Sequence, residues 1–241
     1  MSARLEVCGV SKAFRGLRAV QEASFEVPAQ GLVALIGPNG AGKTTIFNLI
    51  AGVYRPDAGE IRFDGRRIDG LRPDQICAAG VGRTFQIVKP FAGLSVFDNV
   101  VVGALAHERR MAQARLRAEA ALERLGLAAK RDAPAASLTL PERKRLEVAR
   151  ALATHPRLLL LDEVMAGLRP TECDHMVEVL RALNREGIAI LLIEHVMRAV
   201  MALAQHVVVL HHGEVIARGS PSEVVRDPAV LQSYLGEEVE L

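Results

Sequence analysis

The sequence has little of what would place it inside a membrane or outside the cell. Its longest uninterrupted apolar runs, such as IAILLI at 188–193, are far shorter than the roughly 20 residues that cross a bilayer. The first residues, MSARLEVCGVSKAF, lack the long apolar core of a signal peptide. We therefore expect a soluble, cytoplasmic chain, and any role at a membrane must come through a partner.

Cysteine, tryptophan and net charge are also scarce. The three cysteines lie far apart in no metal-ligand spacing, which favours small thiols in a reducing compartment over disulfides or a metal centre. There is no tryptophan, the formal net charge is only +2, and the basic residues are spread out without an aromatic-rich basic stripe. Nucleic acid is therefore not expected as a partner.

Short apolar runs alternate with helical stretches along most of the chain. Four runs are continuously apolar, as strands of a parallel sheet covered on both faces are. They are LVALIG (32–37), LLLLD (158–162), AILLIE (189–194) and VVVLHHG (207–213). The first thirty residues, GEIRFDGRRID and GEVIARG alternate in part, which indicates a small antiparallel β layer, and residues 100–130 are typical of an exposed helix. The order of elements predicts an α/β fold.

The segment GPNGAGKTT, residues 37–45, matches the phosphate-loop pattern G-x-x-x-x-G-K-[ST]. It lies between an apolar strand and an apolar helix, a context that argues against a chance glycine-rich turn. Backbone N–H groups and the helix N-terminus would face phosphate oxygens, Lys43 would reach the terminal phosphates, and Thr44 would help hold Mg²⁺. The predicted ATP contacts here are Gly37, Pro38, Asn39, Gly40, Ala41, Gly42, Lys43, Thr44 and Thr45.

The run LLLLDE supplies the second half of the predicted site. Asp162, at the end of a buried strand, is the expected Mg²⁺ ligand, and Glu163 is placed to polarise a water molecule for attack on the γ-phosphate. Acids at strand ends often only cap helices, so this prediction depends on the phosphate loop. His195, after the next strand, and Gln86, in VGRTFQ, gain predicted roles at the γ-phosphate and the metal only in this context.

Taken in their order, these motifs resemble the ATP-binding-cassette (ABC) ATPase subunits of membrane transporters, over essentially the whole chain. Phe14, in SKAFRGLRAV, matches the aromatic residue that stacks on adenine, and Gln86 matches the Q-loop. Glu163 matches the catalytic base after the Walker B strand, and His195 matches the switch histidine. The resemblance also implies a catalytic role for Lys43. Further nucleotide contacts are implied at Val20, Thr139, Leu140 and Glu142, and metal contacts at Thr44, Gln86 and Asp162.

The resemblance implies a P-loop NTPase (RecA-like) fold with a mainly parallel core sheet, an N-terminal antiparallel β layer and an inserted α-helical subdomain. Residues 1–241 would form a single ATP-binding domain. The core and β layer would occupy about 1–87 and 153–241, and the helical subdomain about 88–152. Two subunits, identical or related, would close head to tail around two ATP molecules with Mg²⁺, and the motion would pass to integral membrane permeases.

Within the family, the chain looks most like the ATPase subunits that serve branched-chain and other hydrophobic amino acid uptake. SKAFRGLRAV, VGRTFQIVKPFAGLSVFDNV, AGLRPTE, IEHVM and VLQSYLG are the segments that carry this likeness. Such a system adds an extracytoplasmic substrate-binding protein and places the ATPase peripherally on the inner face of the cell membrane. Residues 88–99 are a candidate permease groove, because Phe91 and Leu94 would need a partner if exposed and otherwise pack in the helical zone.

Related ATPases for urea, short amides or lipopolysaccharide export look similar over the same stretches and remain alternatives. A soluble cassette that acts on DNA or ribosomes is a further alternative, although the interval from Lys43 to Asp162 contains no long heptad run and the chain has one cassette. A nucleotide-gated regulatory subunit without hydrolysis is another, and Glu163 and His195 argue against it.

The chain departs from the family pattern at its signature. Where the family has Leu-Ser-Gly-Gly-Gln, this chain has Leu138-Thr139-Leu140-Pro141-Glu142, so both glycines are lost and proline offers no N–H donor. Thr139 and Glu142 also have the spacing of a capping box, so Thr139 has two competing uses, capping its own helix or contacting the partner's ATP. Because the residue before a proline avoids the helical region, Leu140 is an alternative cap residue. Val164 and Arg169 replace a usual proline and a usual acid. We expect ATP binding to be intact and turnover to be reduced.

Overall fold

A computed structural model describes residues 3–86 and 89–235, and the elements below are those within these residues. The strands are β1 (Ala3–Phe14), β2 (Leu17–Pro28), β3 (Leu32–Ile36), β4 (Ala58–Phe63), β5 (Arg66–Arg67), β6 (Val81–Arg83), β7 (Leu158–Asp162), β8 (Ala189–Ile193), β9 (His206–His211) and β10 (Glu214–Gly219). The helices are α1 (Lys43–Ile50), α2 (Pro73–Ala79), α3 (Val96–Ala104), α4 (Met111–Arg124), α5 (Leu140–Ala153), α6 (Pro170–Arg185), α7 (Met197–Leu203), α8 (Pro221–Val224) and α9 (Pro228–Leu235).

Six strands form the main sheet in the order β10-β9-β3-β8-β7-β6. The pairs β9–β3, β3–β8, β8–β7 and β7–β6 are parallel, and the edge pair β9–β10 is antiparallel. The four continuously apolar runs form β3, β7, β8 and β9. The predicted α/β fold with a mainly parallel core sheet is therefore confirmed.

The continuous apolarity of these strands follows from their position between two apolar layers. Successive side chains of a strand point to opposite faces. Leu32, Ala34 and Ile36 of β3 belong to one buried cluster, and Val33 and Leu35 belong to the other. The strands β7 and β8 are divided between the two clusters in the same way. A polar residue at any of these positions would be buried without water, so both faces select apolar side chains.

The strands β2, β1, β4 and β5 form a second sheet in that order, and its pairs are antiparallel, which confirms the predicted β layer for the first thirty residues and GEIRFDGRRID. The prediction was wrong for GEVIARG, which forms β10 at the edge of the main sheet and pairs with β9. The helices α3, α4 and α5 pack on one another. In α4 the buried residues Ala114, Ala118, Ala121 and Leu122 form a helical stripe, and the other faces are largely exposed. The helical subdomain over 88–152 remains a prediction as to its boundaries.

The sheet order brings the predicted functional segments to one edge. In a parallel sheet the carboxyl ends of neighbouring strands meet at the same edge, and ligands bind there. The strand β8 lies between β3 and β7, and β6 lies beyond β7. The segments that begin with Gly37, Arg83, Asp162 and Glu194 therefore start side by side. Among the described residues no helix is both long and apolar enough to cross a bilayer.

Candidate active site

The predicted phosphate loop, residues 37–45, joins the end of β3 to the first turn of α1. Gly37 and Gly42 have backbone φ values of 146° and 104°, which residues with a side chain rarely adopt. A Cβ atom at Gly37 would collide with the backbone carbonyl oxygen of Leu210, and one at Gly42 would collide with that of Ala19. The glycine spacing of the motif is thus required by how the loop packs against β9 and β2.

The side chain of Lys43, the first residue of α1, folds back over this loop. Its Nζ donates to the carbonyl oxygens of Gly37 and Pro38, each at 2.6 Å, and the residue is buried. These acceptors stabilise an ammonium that is largely removed from water. Thr44 is exposed in the first turn of α1, where the helix N-terminus favours anions. The loop therefore presents a cation and a hydroxyl at the N-terminal end of α1.

Asp162 ends β7 as a buried carboxylate, and burial raises its pKa while the nearby Arg83 opposes this effect. Arg83 Nη2 lies 3.8 Å from Asp162 Oδ2, and Arg83 also donates to Asn48 Oδ1 at 2.7 Å. The other carboxylate oxygen, Oδ1, is buried and has no hydrogen-bond partner among the described residues. An orphaned carboxylate oxygen next to a phosphate loop fits a hard cation such as Mg²⁺.

Glu163 is the centre of the hydrogen-bond network at this edge. Its Oε2 accepts from Gln86 Nε2 at 3.0 Å, and its Oε1 lies 3.0 Å from His195 Nε2. Its backbone N–H donates to Ile193 O at 2.9 Å, and its carbonyl oxygen accepts from Lys144 Nζ at 2.7 Å. Three residues that the sequence singled out separately, Gln86, Glu163 and His195, are therefore in direct contact.

Glu194 is a second buried acid at the same edge, with 1% of its surface exposed. Its Oε1 accepts from Met165 N at 2.8 Å, and its Oε2 is buried without a hydrogen-bond partner among the described residues. Burial raises the pKa of Glu194 to about 7, although the backbone N–H groups of Met165, Val196 and His195 favour the charged form. Glu194 thus ties the turn after Glu163 to the segment that carries His195.

Lys144, Glu194 and Arg83 are contacts of this site that the sequence analysis missed. Lys144 stands in the basic run ERKR, and it is buried whereas Arg143 and Arg145 are only partly buried. Glu194 could have been predicted from the sequence, because it comes after an apolar run just as Asp162 does. Arg83 lies three residues before Gln86 but belongs to no motif that we recognised.

Phe14, the predicted adenine contact, lies at the end of β1 with its ring partly exposed. The ring packs edge to face against Tyr54, with 5.0 Å between the centroids. Val20 is 1% exposed and its side chain belongs to an apolar cluster, and its contact with the nucleotide stays a prediction. Ala19, the preceding residue, is the part of β2 that lies against the phosphate loop, through its carbonyl oxygen beside Gly42.

The signature segment, residues 138–142, forms the start of α5. Thr139 is the N-cap residue, and its N–H donates to Glu142 Oε2 at 2.9 Å, so the cap does not move to Leu140. Lys130 Nζ lies 2.5 Å from Glu142 Oε1, and this pairing holds the pKa of Glu142 at about 2. The negative charge of Glu142 is therefore already balanced within the chain.

The two other departures have structural roles of their own. Val164 is buried in the core that faces α6. Arg169 is the N-cap residue of α6, and its N–H donates to Glu172 Oε2 at 2.7 Å. Only the Glu172 half of a capping box is formed here, because the arginine side chain cannot accept a hydrogen bond, and the helix starts without an acid at position 169.

The candidate permease groove over 88–99 is described from Lys89 onward, and Val88 lies outside the described residues. Phe91 and Leu94 are 45% and 38% exposed, so neither is packed inside the helical zone. Asn99 is buried and holds the Phe91 backbone from both sides, accepting from its N–H at 2.8 Å and donating to its carbonyl oxygen at 3.1 Å. The exposed apolar side chains are thus presented by a fixed turn, which favours a partner surface.

Comparison with protein families gives two matches. Residues 20–166 match the family model described as ABC transporter. Residues 214–240 match the model described as branched-chain amino acid ATP-binding cassette transporter.

Individual relatives agree with these matches. The chain is 40% identical to the high-affinity branched-chain amino acid transport ATP-binding protein LivG of Salmonella typhimurium, over 97% of this chain and 98% of that one. It is 38% identical, with the same coverage, to the corresponding protein BraF of Pseudomonas aeruginosa. It is 36% identical to the lipopolysaccharide export system ATP-binding protein LptB of Acidithiobacillus ferridurans over the whole of both chains. The crystal structure of a nucleotide-free ATP-binding cassette from an ABC transporter superposes with a TM-score of 0.89 at 28% identity, covering 97% and 99% of the two chains.

Proposed function

The chain belongs to the ATP-binding-cassette family of ABC transporters, and from this premise we propose that it energises the uptake of branched-chain or other hydrophobic amino acids. Members of this family are ATPases, and ATP is the ligand of the phosphate loop. The match of residues 214–240 to the branched-chain amino acid model is the observation that carries the substrate class. The likeness to LivG and BraF supports it.

The network around Glu163 supplies the chemistry that we propose for hydrolysis. The carboxylate accepts a proton from the attacking water, and Gln86 and His195, bonded to its two oxygens, fix its direction. Lys43 exchanges its bonds to the loop carbonyls for oxygens of the terminal phosphates. Asp162, Thr44 and Gln86 would hold Mg²⁺, which neutralises phosphate charge when bound.

The partners follow from the same proposal. A second ATP-binding subunit would complete each site with its segment 138–142, and permeases would bind the surface that includes Phe91 and Leu94. An extracytoplasmic substrate-binding protein would deliver the amino acid. The chain itself would lie peripherally on the inner face of the membrane. Charged substitutions at both Phe91 and Leu94 should then abolish permease binding in pull-downs from membranes.

Uptake measurements in the cells that encode the chain test the substrate class. Deletion of the gene should abolish high-affinity uptake of labelled leucine, isoleucine or valine, and the wild-type gene should restore it while Glu163→Gln should not. Urea uptake and lipopolysaccharide at the cell surface are measured in the same strains. If the deletion strain lost urea uptake or surface lipopolysaccharide but kept amino acid uptake, the proposed substrate would be wrong. The compound whose transport was lost would take its place.

Thr139→Ala should lower the ATPase rate by about tenfold or more, because a hydrogen bond to a charged group contributes about 1.5–3 kcal/mol. Loss of the cap alone should lower the free energy of unfolding by about 1 kcal/mol. Ser137→Ala is the matched control, since that exposed hydroxyl bonds to Pro134 O of its own chain. A fall in stability with an unchanged turnover would mean that Thr139 is only a helix cap.

A further inference from the structure

Glu163 has a backbone conformation that its surroundings must maintain. Its φ is 50°, in the left-handed region, which a residue with a side chain occupies rarely and usually at functional sites. Three contacts hold the backbone: the N–H bond to Ile193 O, the bond from Lys144 Nζ to the carbonyl oxygen at 2.7 Å, and a longer bond from the Ala166 N–H to the same oxygen at 3.3 Å. Because φ and ψ set the direction of the side chain, these contacts determine whether the carboxylate reaches Gln86 and His195.

The hydrogen bond from Lys144 to the Glu163 carbonyl oxygen is unusual because its donor is a buried charged side chain. Lys144 is 6% exposed, and Asp162 and Glu147 are the acids whose charges it stabilises nearby. Lysine is rarely this buried, because removing an ammonium from water is costly unless its charge is compensated. A methionine would fill a similar volume without that cost. Packing alone therefore does not explain why a lysine is buried here, and its 2.7 Å hydrogen bond to Glu163 O does.

The position of Lys144 along α5 connects two parts of the protein. Thr139 caps the helix, and Lys144 follows it by five residues, about 7.5 Å along the axis at 1.5 Å per residue. One end of this short helical stretch carries the segment that is proposed to meet the partner's nucleotide. The other end contacts the backbone of the residue proposed to act on the chain's own nucleotide.

We propose that Lys144 is a positioning residue that holds Glu163 in its left-handed conformation and makes this conformation depend on the placement of the signature helix. The proposal rests on the proposed ATPase function. When the N-terminus of α5 is fixed by the partner's nucleotide, Lys144 is fixed with it, and the carboxylate of Glu163 is directed at its own site. When α5 is displaced, the bond lengthens and the Glu163 backbone relaxes.

Neighbouring cations on the same helix provide a matched control. Arg145 follows Lys144 directly, is only partly buried, and donates to Leu125 O at 3.4 Å. The hydrogen bonds of the described residues place it away from Glu163. Arg145→Met therefore removes the same charge from the same helix without touching the Glu163 carbonyl.

The first experiment measures ATP turnover, TNP-ATP binding and thermal unfolding of Lys144→Met, Lys144→Arg and Arg145→Met. For Lys144→Met we expect kcat to fall about 10- to 100-fold while KM and the TNP-ATP affinity change less than about threefold, since a charged hydrogen bond is lost. Lys144→Arg should restore kcat to within about fivefold, and Arg145→Met should stay within about twofold. Equal losses in Lys144→Met and Arg145→Met, or a loss that tracks the unfolded fraction, would overturn the proposal.

Hydrogen–deuterium exchange separates this proposal from the proposed function. Lys144→Met should speed exchange of the Glu163 and Met165 amides, which are bonded to Ile193 O and Glu194 Oε1. Lys144→Arg should leave it near wild type. Unchanged exchange in Lys144→Met would refute positioning whether or not the chain turns over ATP. Absence of turnover in the wild-type complex, with the exchange result as expected, would instead refute the ATPase assignment.

A double-mutant cycle with Thr139→Ala tests the link along α5. If the contact of Thr139 with the partner's nucleotide acts on Glu163 through Lys144, substituting both residues should lower kcat little more than substituting one. The double variant should then retain at least about fivefold more kcat than the product of the two single effects predicts. Effects that multiply to within about twofold would show that Lys144 positions Glu163 independently of the signature helix.

Discussion

Glu163→Gln should lower kcat for ATP hydrolysis by about 100- to 10,000-fold, the range that a positioned general base contributes. The amide has the same shape but cannot accept the proton of the attacking water. It also places an NH₂ group opposite Gln86 Nε2 or His195 Nε2, both of which now lie 3.0 Å from a carboxylate oxygen. ATP affinity should change little, because the phosphate loop and Lys43 are untouched. Single-turnover hydrolysis and TNP-ATP titration measure the two quantities.

Glu178→Gln is the control for this substitution, since Glu178 is exposed on α6 and pairs with Arg181. It should leave kcat and ATP affinity at wild-type values. A wild-type chain that binds ATP but turns over no faster than Glu163→Gln, even with its membrane partners, would identify a nucleotide-gated regulatory subunit. The same pair of measurements therefore separates an enzyme from a sensor.

The main sheet could be predicted because its strands obey one strong rule. A strand covered on both faces must be apolar along its covered length, and LLLL (158–161) and AILLI (189–193) show this. The phosphate loop could also be predicted from the sequence. Its glycines at 37 and 42 are required because backbone carbonyl groups of neighbouring strands pack closely against them. Asp162 and Glu163 then followed from their place at the end of a buried strand.

The contacts that could not be predicted from the sequence are those that depend on tertiary distance. The run ERKR does not by itself show which cation is buried, and the structure buries Lys144 but leaves Arg145 partly exposed. The burial of Val20 has a related cause. Alternation in β2 places Val20 toward the core and leaves the backbone of Ala19 at the loop, and a shift of one residue reverses the face.

The signature segment shows how a sequence departure is compensated locally. Glu142 replaces a neutral amide, and its charge is balanced by Lys130, which belongs to no motif. The same carboxylate accepts the N–H of Thr139, so the helix start is fixed without glycine. The lost glycines thus remove phosphate donors while the geometry of the helix start is retained. Reduced turnover with intact folding is the expected consequence.

The second large effect is expected from Glu194→Gln, and it concerns stability as a function of pH. The pKa of Glu194 is about 7 in the folded protein and 4.5 is its ordinary value, because burial disfavours the carboxylate. Between these values the folded state binds a proton that the unfolded state releases. The free energy of unfolding contributed by this group is therefore fully present below pH 4.5 and is lost as the pH rises through about 7.

Glutamine keeps an acceptor for Met165 N and cannot ionise, so the variant should lack this loss. Relative to wild type, its free energy of unfolding should rise by about 2 kcal/mol between pH 5 and pH 8, at roughly 1.4 kcal/mol for each unit of pKa shift. Urea unfolding at both pH values measures the difference, and Glu178→Gln should run parallel to wild type. If the free energy of unfolding of Glu194→Gln changed with pH as that of the wild type does, the wild-type carboxylate would be stabilised in its charged form by a partner such as a bound cation. Glu194 would then belong to the ion-binding part of the site instead of acting as a neutral link between Met165 and the His195 segment.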